Sequence, residues 1–99
     1  MNSAVTIRQI ISMDTFFFQE GLSFVGIFGS QARGEAKVDS DIDILIDYPS
    51  PKSFFELARI QIKLEERLNT KVDLVTRQSV KPALRENIEH DLIAVYGQE

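Results

Sequence analysis

Residues 41–47 read DIDILID, and this alternation is the feature that most restricts how the chain can fold. Successive side chains of a β-strand point to opposite faces of a sheet, so one kind of residue lies on each face. The segment therefore predicts a strand with an apolar back and an acidic front. The two faces are Ile42, Ile44 and Ile46 on the back, and Asp41, Asp43 and Asp47 on the front.

Apolar residues at helical spacing predict three helices. The first covers residues 3–18, and the second covers residues 54–68 and opens with the capping box Ser53 and Glu56. The third has Pro82 in its first turn and runs to about residue 90. The apolar side chains expected to face the core are Ile7, Ile10, Ile11 and Phe17 or Phe18 in the first helix, and Phe54, Leu57, Ala58, Ile62, Leu64 and Leu68 in the second.

Three more strands are predicted around the acidic one. Residues 24–28 are a short apolar run, residues 71–77 alternate again, and residues 92–96 read LIAVY and suit a closing strand. Strands that alternate with helices give a sheet covered by helices, an α/β or α+β fold. A chain of 99 residues is the size of one compact domain, so we expect residues 1–99 to form a single one.

Charge and composition narrow the function classes. A net charge of −4 disfavours binding to nucleic acid, which depends on Lys and Arg releasing phosphate counterions. The chain contains no cysteine, which excludes disulfides and thiolate metal sites and suits a reducing compartment. The first residues lack the apolar core of a secretory signal, and no apolar run approaches the roughly 20 residues that span a bilayer. We therefore expect a cytoplasmic protein without a membrane partner.

The acidic front of the predicted strand is a candidate metal site. Same-face residues of a strand are about 6.5 to 7 Å apart, so Asp41 and Asp43 can lean toward a shared point. Asp73 would add a third carboxylate if its strand lies beside that of Asp41. Oxygen ligands of this kind suit Mg²⁺, and two ions about 3.5 to 4 Å apart are the usual arrangement in phosphoryl and nucleotidyl transfer.

The segment before the acidic strand is a candidate phosphate site. Gly29 allows close approach of the backbone to a phosphate, Ser30 offers a hydroxyl, and the following residues can begin a short helix whose free N–H groups attract anions. Arg33 has two interpretations: it can grip a phosphate, or it can fasten a turn through backbone carbonyls. A nucleotide with bound metal would also remove the repulsion between the aspartates.

These residues resemble the minimal nucleotidyltransferases of the DNA polymerase β superfamily. That signature is Gly-Ser, ten residues, then Asp-x-Asp, and it corresponds here to Gly29-Ser30 and Asp41-Ile42-Asp43, while KVDLVT with Asp73 resembles the strand of the third carboxylate. The resemblance covers nearly the whole chain and implies a small mixed β-sheet flanked by helices. It also implies that Asp41, Asp43 and Asp73 bind metal and catalyse transfer, and that Gly29-Ser30 holds the triphosphate.

Proteins of this size resemble the antitoxin half of pairs formed by HEPN toxins and minimal nucleotidyltransferases. The resemblance implies ATP as the donor, Mg²⁺ as the cofactor, and a tyrosine of a HEPN ribonuclease as the acceptor of AMP, with the toxin as both substrate and partner. Two alternatives stay open. One is transfer to a small-molecule hydroxyl by a dimer, and the other is an antitoxin that masks its partner without catalysis.

Three other features favour structural roles. Asp47 is expected on a solvated sheet face, and His90 near a helix end is expected at the surface. The run Phe16-Phe17-Phe18 is expected in the core, although three adjacent rings cannot all face inward from one helix, which leaves one ring for a partner.

Overall fold

The structure is a computed structural model and describes residues 7–35 and 40–97. Short helices precede the first strand, and longer helices follow the second and third strands. The elements are α1 (Ile7–Ile11), α2 (Asp14–Gln19), β1 (Phe24–Phe28), α3 (Ser30–Arg33), β2 (Ile42–Asp47), α4 (Phe54–Leu68), β3 (Val72–Thr76), a 3-10 turn (Arg77–Ser79), α5 (Pro82–Asp91) and β4 (Ile93–Gly97).

The four strands form one mixed sheet in the order β3-β2-β1-β4. β1 is antiparallel to both of its neighbours, whereas β2 and β3 are parallel and are joined by α4. A parallel pair requires such a crossover, because the chain must return to the same end of the sheet. The predicted α+β fold with a small mixed sheet and flanking helices is confirmed.

One face of the sheet carries the core. Ile42, Ile44 and Ile46 are fully buried there, beside Val25 and Ile27 of β1. Helix α4 closes this face and begins with the predicted capping box, in which Glu56 N donates to Ser53 Oγ and Ser53 N donates to Glu56 Oε1. The alternation of β2 thus determined which face of the sheet is buried.

The apolar face of α4 differs from the prediction. Phe54 and Ile62 are 79% and 55% exposed, whereas Ile60, Leu64 and Leu68 are buried and Leu57 packs against the core. At 3.6 residues per turn, positions 57, 60, 64 and 68 form one stripe, and position 62 lies on the far side of the helix from it. The prediction of Phe54 and Ile62 as core residues was wrong.

The predicted first helix is divided into α1 and α2, and residues 3–6 of its predicted range lie outside the described residues. Ser12 Oγ donates to Gln9 O at 2.6 Å, a local bond that competes with continuation of the helix. Because the chain changes direction between α1 and α2, both Ile10 and Phe17 enter the core.

Two apolar side chains of this region point away from the core. Ile11 is 48% exposed, so its prediction as a core residue was wrong, because adjacent residues of a helix point about 100° apart and the buried Ile10 occupies the core-facing position. Phe18 is 74% exposed, so it is the ring of the Phe16–Phe18 run that faces outward, as expected for one of the three.

The other face of the sheet is partly covered by α5 and the 3-10 turn. Leu45, which shares this face with Asp43, is buried and lines a cavity together with Ile88 of α5. The longest helix that the structure describes, α4, has 15 residues, and no described helix is long and apolar enough to traverse a bilayer.

Candidate active site

The register of β2 and β3 brings two of the three predicted carboxylates together. Asp43 pairs with Asp73 directly across the two parallel strands, with Ile42 opposite Val72 on the core face. Both aspartates therefore lie on the outer face, next to each other. The strand adjacency that a third carboxylate requires is present.

The electrostatics of Asp43 reflect this closeness. Partial burial, the charge of Asp73, a hydrogen bond with the Asp73 carboxylate and the charge of Asp41 together raise the pKa of Asp43 from an ordinary 3.8 to about 6. The first of these causes is desolvation, which disfavours the charged form. The charges of Asp73 and Asp41 add repulsion between like charges, and the hydrogen bond favours the protonated form. Two carboxylates that repel in this way form a site prepared for a cation.

Asp41 lies one residue before β2 and is exposed. Its charge acts on Asp43, yet within residues 7–35 and 40–97 no three His, Cys, Asp or Glu side chains are placed to hold a metal ion by themselves. The structure thus brings Asp43 and Asp73 together and leaves Asp41 at the exposed edge of the site, just before β2. Such a pair matches the chemistry of Mg²⁺, which binds one or two carboxylates and completes its shell with water and substrate phosphates.

Gly29 and Ser30 adjoin the aspartate pair. Gly29 follows β1 with φ 75° and ψ −151°, a combination that is essentially restricted to glycine. A Cβ atom at Gly29 would overlap Oδ2 of Asp43, so the backbone of this turn lies directly against the carboxylate. Ser30 begins the four-residue helix α3, and its carbonyl accepts a hydrogen bond from Glu35 N at 2.9 Å.

Arg33 is held by two carboxylates. Its Nε donates to Glu35 Oε1 at 2.9 Å, and its guanidinium also contacts Asp91 Oδ2 at 2.6 Å, across 58 residues of sequence. These contacts raise the pKa of Arg33 and lower the pKa of Asp91. The positive charge of Arg33 also opposes the upward shift in the pKa of Asp43, which places the guanidinium in the field of the site. Arg33 therefore ties α3 to α5 through side chains.

Asp47 lies outside this site. The expectation of a solvated carboxylate was inaccurate, because Asp47 is half-buried, its Oδ1 accepts from Tyr48 N, and its Oδ2 is 3.8 Å from Arg77 Nε. His90 is 87% exposed, as expected for a surface residue.

Sequence reasoning missed two residues, Asp91, which contacts Arg33, and Arg77, further along the same face of the sheet. Asp91 was missed because its contact with Arg33 depends on the docking of α5, for which no local sequence signal exists. Arg77 was missed although it continues the outer-face alternation of Asp73 and Val75, and that alternation could have placed it. Its guanidinium carbon lies 4.6 Å from the centre of the Phe24 ring.

Comparison with known proteins agrees with this geometry. The family model described as "Nucleotidyltransferase domain" matches residues 16–95. Protein adenylyltransferase MntA of Thermococcus cleftensis is 34% identical over 96 residues, which cover 92% of this chain and 97% of that protein.

Two solved structures have the same fold. A crystal structure of a toxin-antitoxin with AMP-PNP superposes with a TM-score of 0.78 at 23% identity, covering 94% of this chain and 74% of that chain. A structure of the tri-AMPylated HEPN toxin of Shewanella oneidensis in complex with an MNT antitoxin gives a TM-score of 0.69 at 21% identity, covering 93% of this chain and 70% of that chain.

Proposed function

Since the chain belongs to the nucleotidyltransferase domain family, we propose that it is a Mg²⁺-dependent protein adenylyltransferase and the antitoxin of a toxin-antitoxin pair. It transfers AMP from ATP to a hydroxyl, a tyrosine of a HEPN-type partner protein. The observation that carries the proposal is the in-register pair Asp43 and Asp73 with the Gly29 backbone against it.

The relatives support the donor and the partner. The Thermococcus relative is named a protein adenylyltransferase, one structural neighbour contains AMP-PNP, and the other contains an AMPylated HEPN toxin. The family resemblance of the sequence points to the same reaction. Residues 7–35 and 40–97 form one sheet with its flanking helices, and the proposed acceptor is a separate protein.

The positions of the residues support the following roles. Asp43 and Asp73, with Asp41 at the rim, would hold Mg²⁺, which when bound neutralises the phosphates and polarises the acceptor hydroxyl. The Gly29-Ser30 turn receives the β- and γ-phosphates, and Arg33 adds charge beside them. Asp73 accepts the proton of the acceptor hydroxyl while the hydroxyl oxygen forms a bond to the α-phosphorus. The bond from the α-phosphorus to pyrophosphate then breaks, and pyrophosphate leaves.

Labelling with ATP that carries a tagged α-phosphate tests this proposal. The chain is incubated with a HEPN-type partner and Mg²⁺, and label on the partner is followed by gel and by mass spectrometry. We expect Asp43→Asn and Asp73→Asn to lower the rate by at least about 100-fold, a typical loss when one group that stabilises transition-state charge is removed. The matched control is Asp14→Asn, the same chemical change on α2 outside the site, which should leave the rate unchanged.

The same experiment separates the alternatives. Label found on a small molecule, and never on protein, would favour the small-molecule acceptor. If the double variant Asp41→Asn and Asp43→Asn neutralised the partner fully at equal abundance, the chain would act by binding alone, and the proposal would be rejected.

A further inference from the structure

Asp91 is the last residue of α5, and its side chain is only 18% exposed. A carboxylate at this end of a helix lies next to the partial negative charge of the unpaired carbonyl groups, so it does not stabilise α5 itself. One carboxylate oxygen, Oδ2, accepts from Arg33 Nη1 at 2.6 Å, and the other, Oδ1, is 3.4 Å from Nδ1 of the exposed His90. The position of Asp91 is therefore explained by its contact with Arg33 rather than by the helix that carries it.

The sheet brings Asp91 to the Gly29-Ser30 turn. β4 begins at Ile93, which pairs with Ile27 of the antiparallel strand β1. In an antiparallel pair, two residues back along one strand correspond to two residues forward along the other. The end of α5 therefore lies beside the turn that follows β1, and the pairing of the strands fixes it there.

Arg33 starts from the same turn. Its backbone N donates to Gly29 O at 3.1 Å, and residues three apart in a helical turn lie on the same side, which places the Arg33 side chain on the side of Ser30. The charge of Arg33 also acts on Asp43. A guanidinium in this position can meet phosphates that occupy the turn.

Two carboxylates determine the orientation of this guanidinium. Arg33 donates through Nε to Glu35 and through Nη1 to Asp91, and neither bond uses Nη2, which carries two of the five N–H donors. A long side chain loses conformational entropy when a ligand orders it, and a side chain that is already held in place loses less. Bonds to two different nitrogens fix the plane of the guanidinium before a ligand arrives.

We propose that Asp91 is a positioning residue, which holds the Arg33 guanidinium beside the Gly29-Ser30 turn so that Nη2 meets the phosphates of the donor. The proposal rests on the proposed function. It gives the end of α5 a part in donor binding although Asp91 itself does not contact the donor.

A double-mutant cycle of Arg33→Ala and Asp91→Ala tests this role, with affinities for Mg²⁺·ATP and Mg²⁺·tripolyphosphate measured by titration calorimetry. We expect Arg33→Ala to weaken both ligands about tenfold or more, as for loss of a hydrogen bond to a charged group, and Asp91→Ala to weaken them about threefold or more. In the Arg33→Ala background, Asp91→Ala should cause no further loss, because a residue that acts only through Arg33 then has nothing to orient.

Two further variants make the comparison specific. Glu86→Ala removes an exposed carboxylate from the same helix and should change neither affinity. Asp91→Asn keeps an acceptor oxygen for Nη1 and should retain more of the affinity than Asp91→Ala does. Should Asp91→Ala unfold, Asp91→Ser takes its place in the cycle and is judged by the same comparison.

The outcomes separate this role from the proposed function. If the unaltered protein binds neither ligand, the proposed function fails and the role of Asp91 with it. If the unaltered protein binds both ligands and Asp91→Ala binds them equally well, only the role of Asp91 is rejected. An equal loss in both backgrounds also rejects it, because Asp91 would then act independently of Arg33. Tighter binding by Asp91→Ala rejects it as well, since Asp91 would then withhold Arg33 from the phosphates.

Discussion

At the scale of residues, the site is defined by repulsion. Asp43 is placed against Asp73 by strand register and against the Gly29 backbone by the turn, so its carboxylate is partly desolvated and has a like charge beside it. Such an arrangement is unfavourable in the protein without ligand and favourable once a cation is present. Perturbed acids of this kind are more frequent at functional sites than elsewhere.

The first prediction concerns Asp43 and pH. Since the native pKa is raised to about 6 from 3.8, the folded protein holds a proton that the unfolded chain has released between these values, so stability falls as pH rises through that window. Asp43→Asn removes this loss. In EDTA, we expect the variant to unfold at a higher urea concentration than the unaltered protein at pH 7.5, and the difference to vanish below pH 4.

Asp41→Asn is the matched control for this experiment. Asp41 is exposed, and its charge raises the pKa of Asp43 less than the charge of Asp73 does. Asp41→Asn should raise the urea concentration of unfolding at pH 7.5 less than Asp43→Asn does. A variant Asp43→Asn that is less stable than the unaltered protein at pH 7.5 would contradict the assigned repulsion.

The second prediction compares two glycines with positive φ. Gly29→Ala would place a methyl group on Oδ2 of Asp43. For Gly34→Ala, at φ 73°, no atom of residues 7–35 and 40–97 lies within 4 Å of the new Cβ position. Both substitutions carry backbone strain, of about 1 to 3 kcal/mol. Only Gly29→Ala should also abolish binding of Mg²⁺·ATP, as measured by calorimetry. Equal loss of binding in both variants would show that strain alone is responsible.

At the scale of elements, helix α4 holds the strand that carries Asp73. Gln61 Nε2 donates to Val72 O, and Val72 N donates to Glu65 Oε2, both at 3.0 Å. β3 is an edge strand, so these two bonds occupy backbone groups that would otherwise lack a neighbouring strand. They fix the residue immediately before Asp73 and hence the position of its carboxylate.

The third prediction tests this anchor. Glu65→Leu removes the acceptor of the Val72 amide, and leaving a buried donor unsatisfied costs about 1 to 3 kcal/mol. Glu65→Gln keeps an acceptor oxygen and should lose much less. Chemical denaturation measures both, with Glu66→Leu, an exposed neighbour on the same helix, as the control. If Glu65→Gln and Glu65→Leu are equally destabilised, charge rather than the hydrogen bond is what matters.

At the scale of the whole molecule, ligand binding and stability are linked. A ligand that binds only the folded state adds about 2.7 kcal/mol to the free energy of unfolding at 100 times its Kd. The charge of the site makes this linkage depend on a cation. The three aspartates make the outer face of the sheet acidic, in a chain whose net charge is already −4. Nucleotide without metal should therefore be repelled from this face.

The fourth prediction follows from that linkage. Mg²⁺·ATP at 100 times its Kd should raise the melting temperature by about 10 °C or more, given about 4 to 8 °C per kcal/mol for a domain of this size. ATP with EDTA should give little or no rise, and Asp43→Asn should abolish the effect. Differential scanning fluorimetry measures all three. A similar rise with ATP in EDTA would exclude Mg²⁺ as the bridge between phosphates and carboxylates.

Much of the candidate site was predictable because its signals are local. The Gly-Ser turn, the spacing to Asp41 and Asp43 and the alternation around Asp73 are each contained in a few adjacent residues, and the strands they predicted are present. The division of the first helix was not predicted, because it depends on which side chains the sheet can accommodate. The apolar face of α4 was predicted wrongly although the helical period, a local property, sets Ile62 apart from Leu57 and Leu64. The roles of the site residues stay predictions until the experiments above are done.

The strands, the acidic and apolar faces of β2 and the family to which the chain belongs can all be read from neighbouring residues, because strand periodicity and short motifs are local properties. The pairing of Asp43 with Asp73, the contact of Asp91 with Arg33 and the cavity beside Leu45 became visible only in the folded molecule. Each of these depends on the register of two strands or the docking of α5, and such contacts join residues that are far apart in the chain.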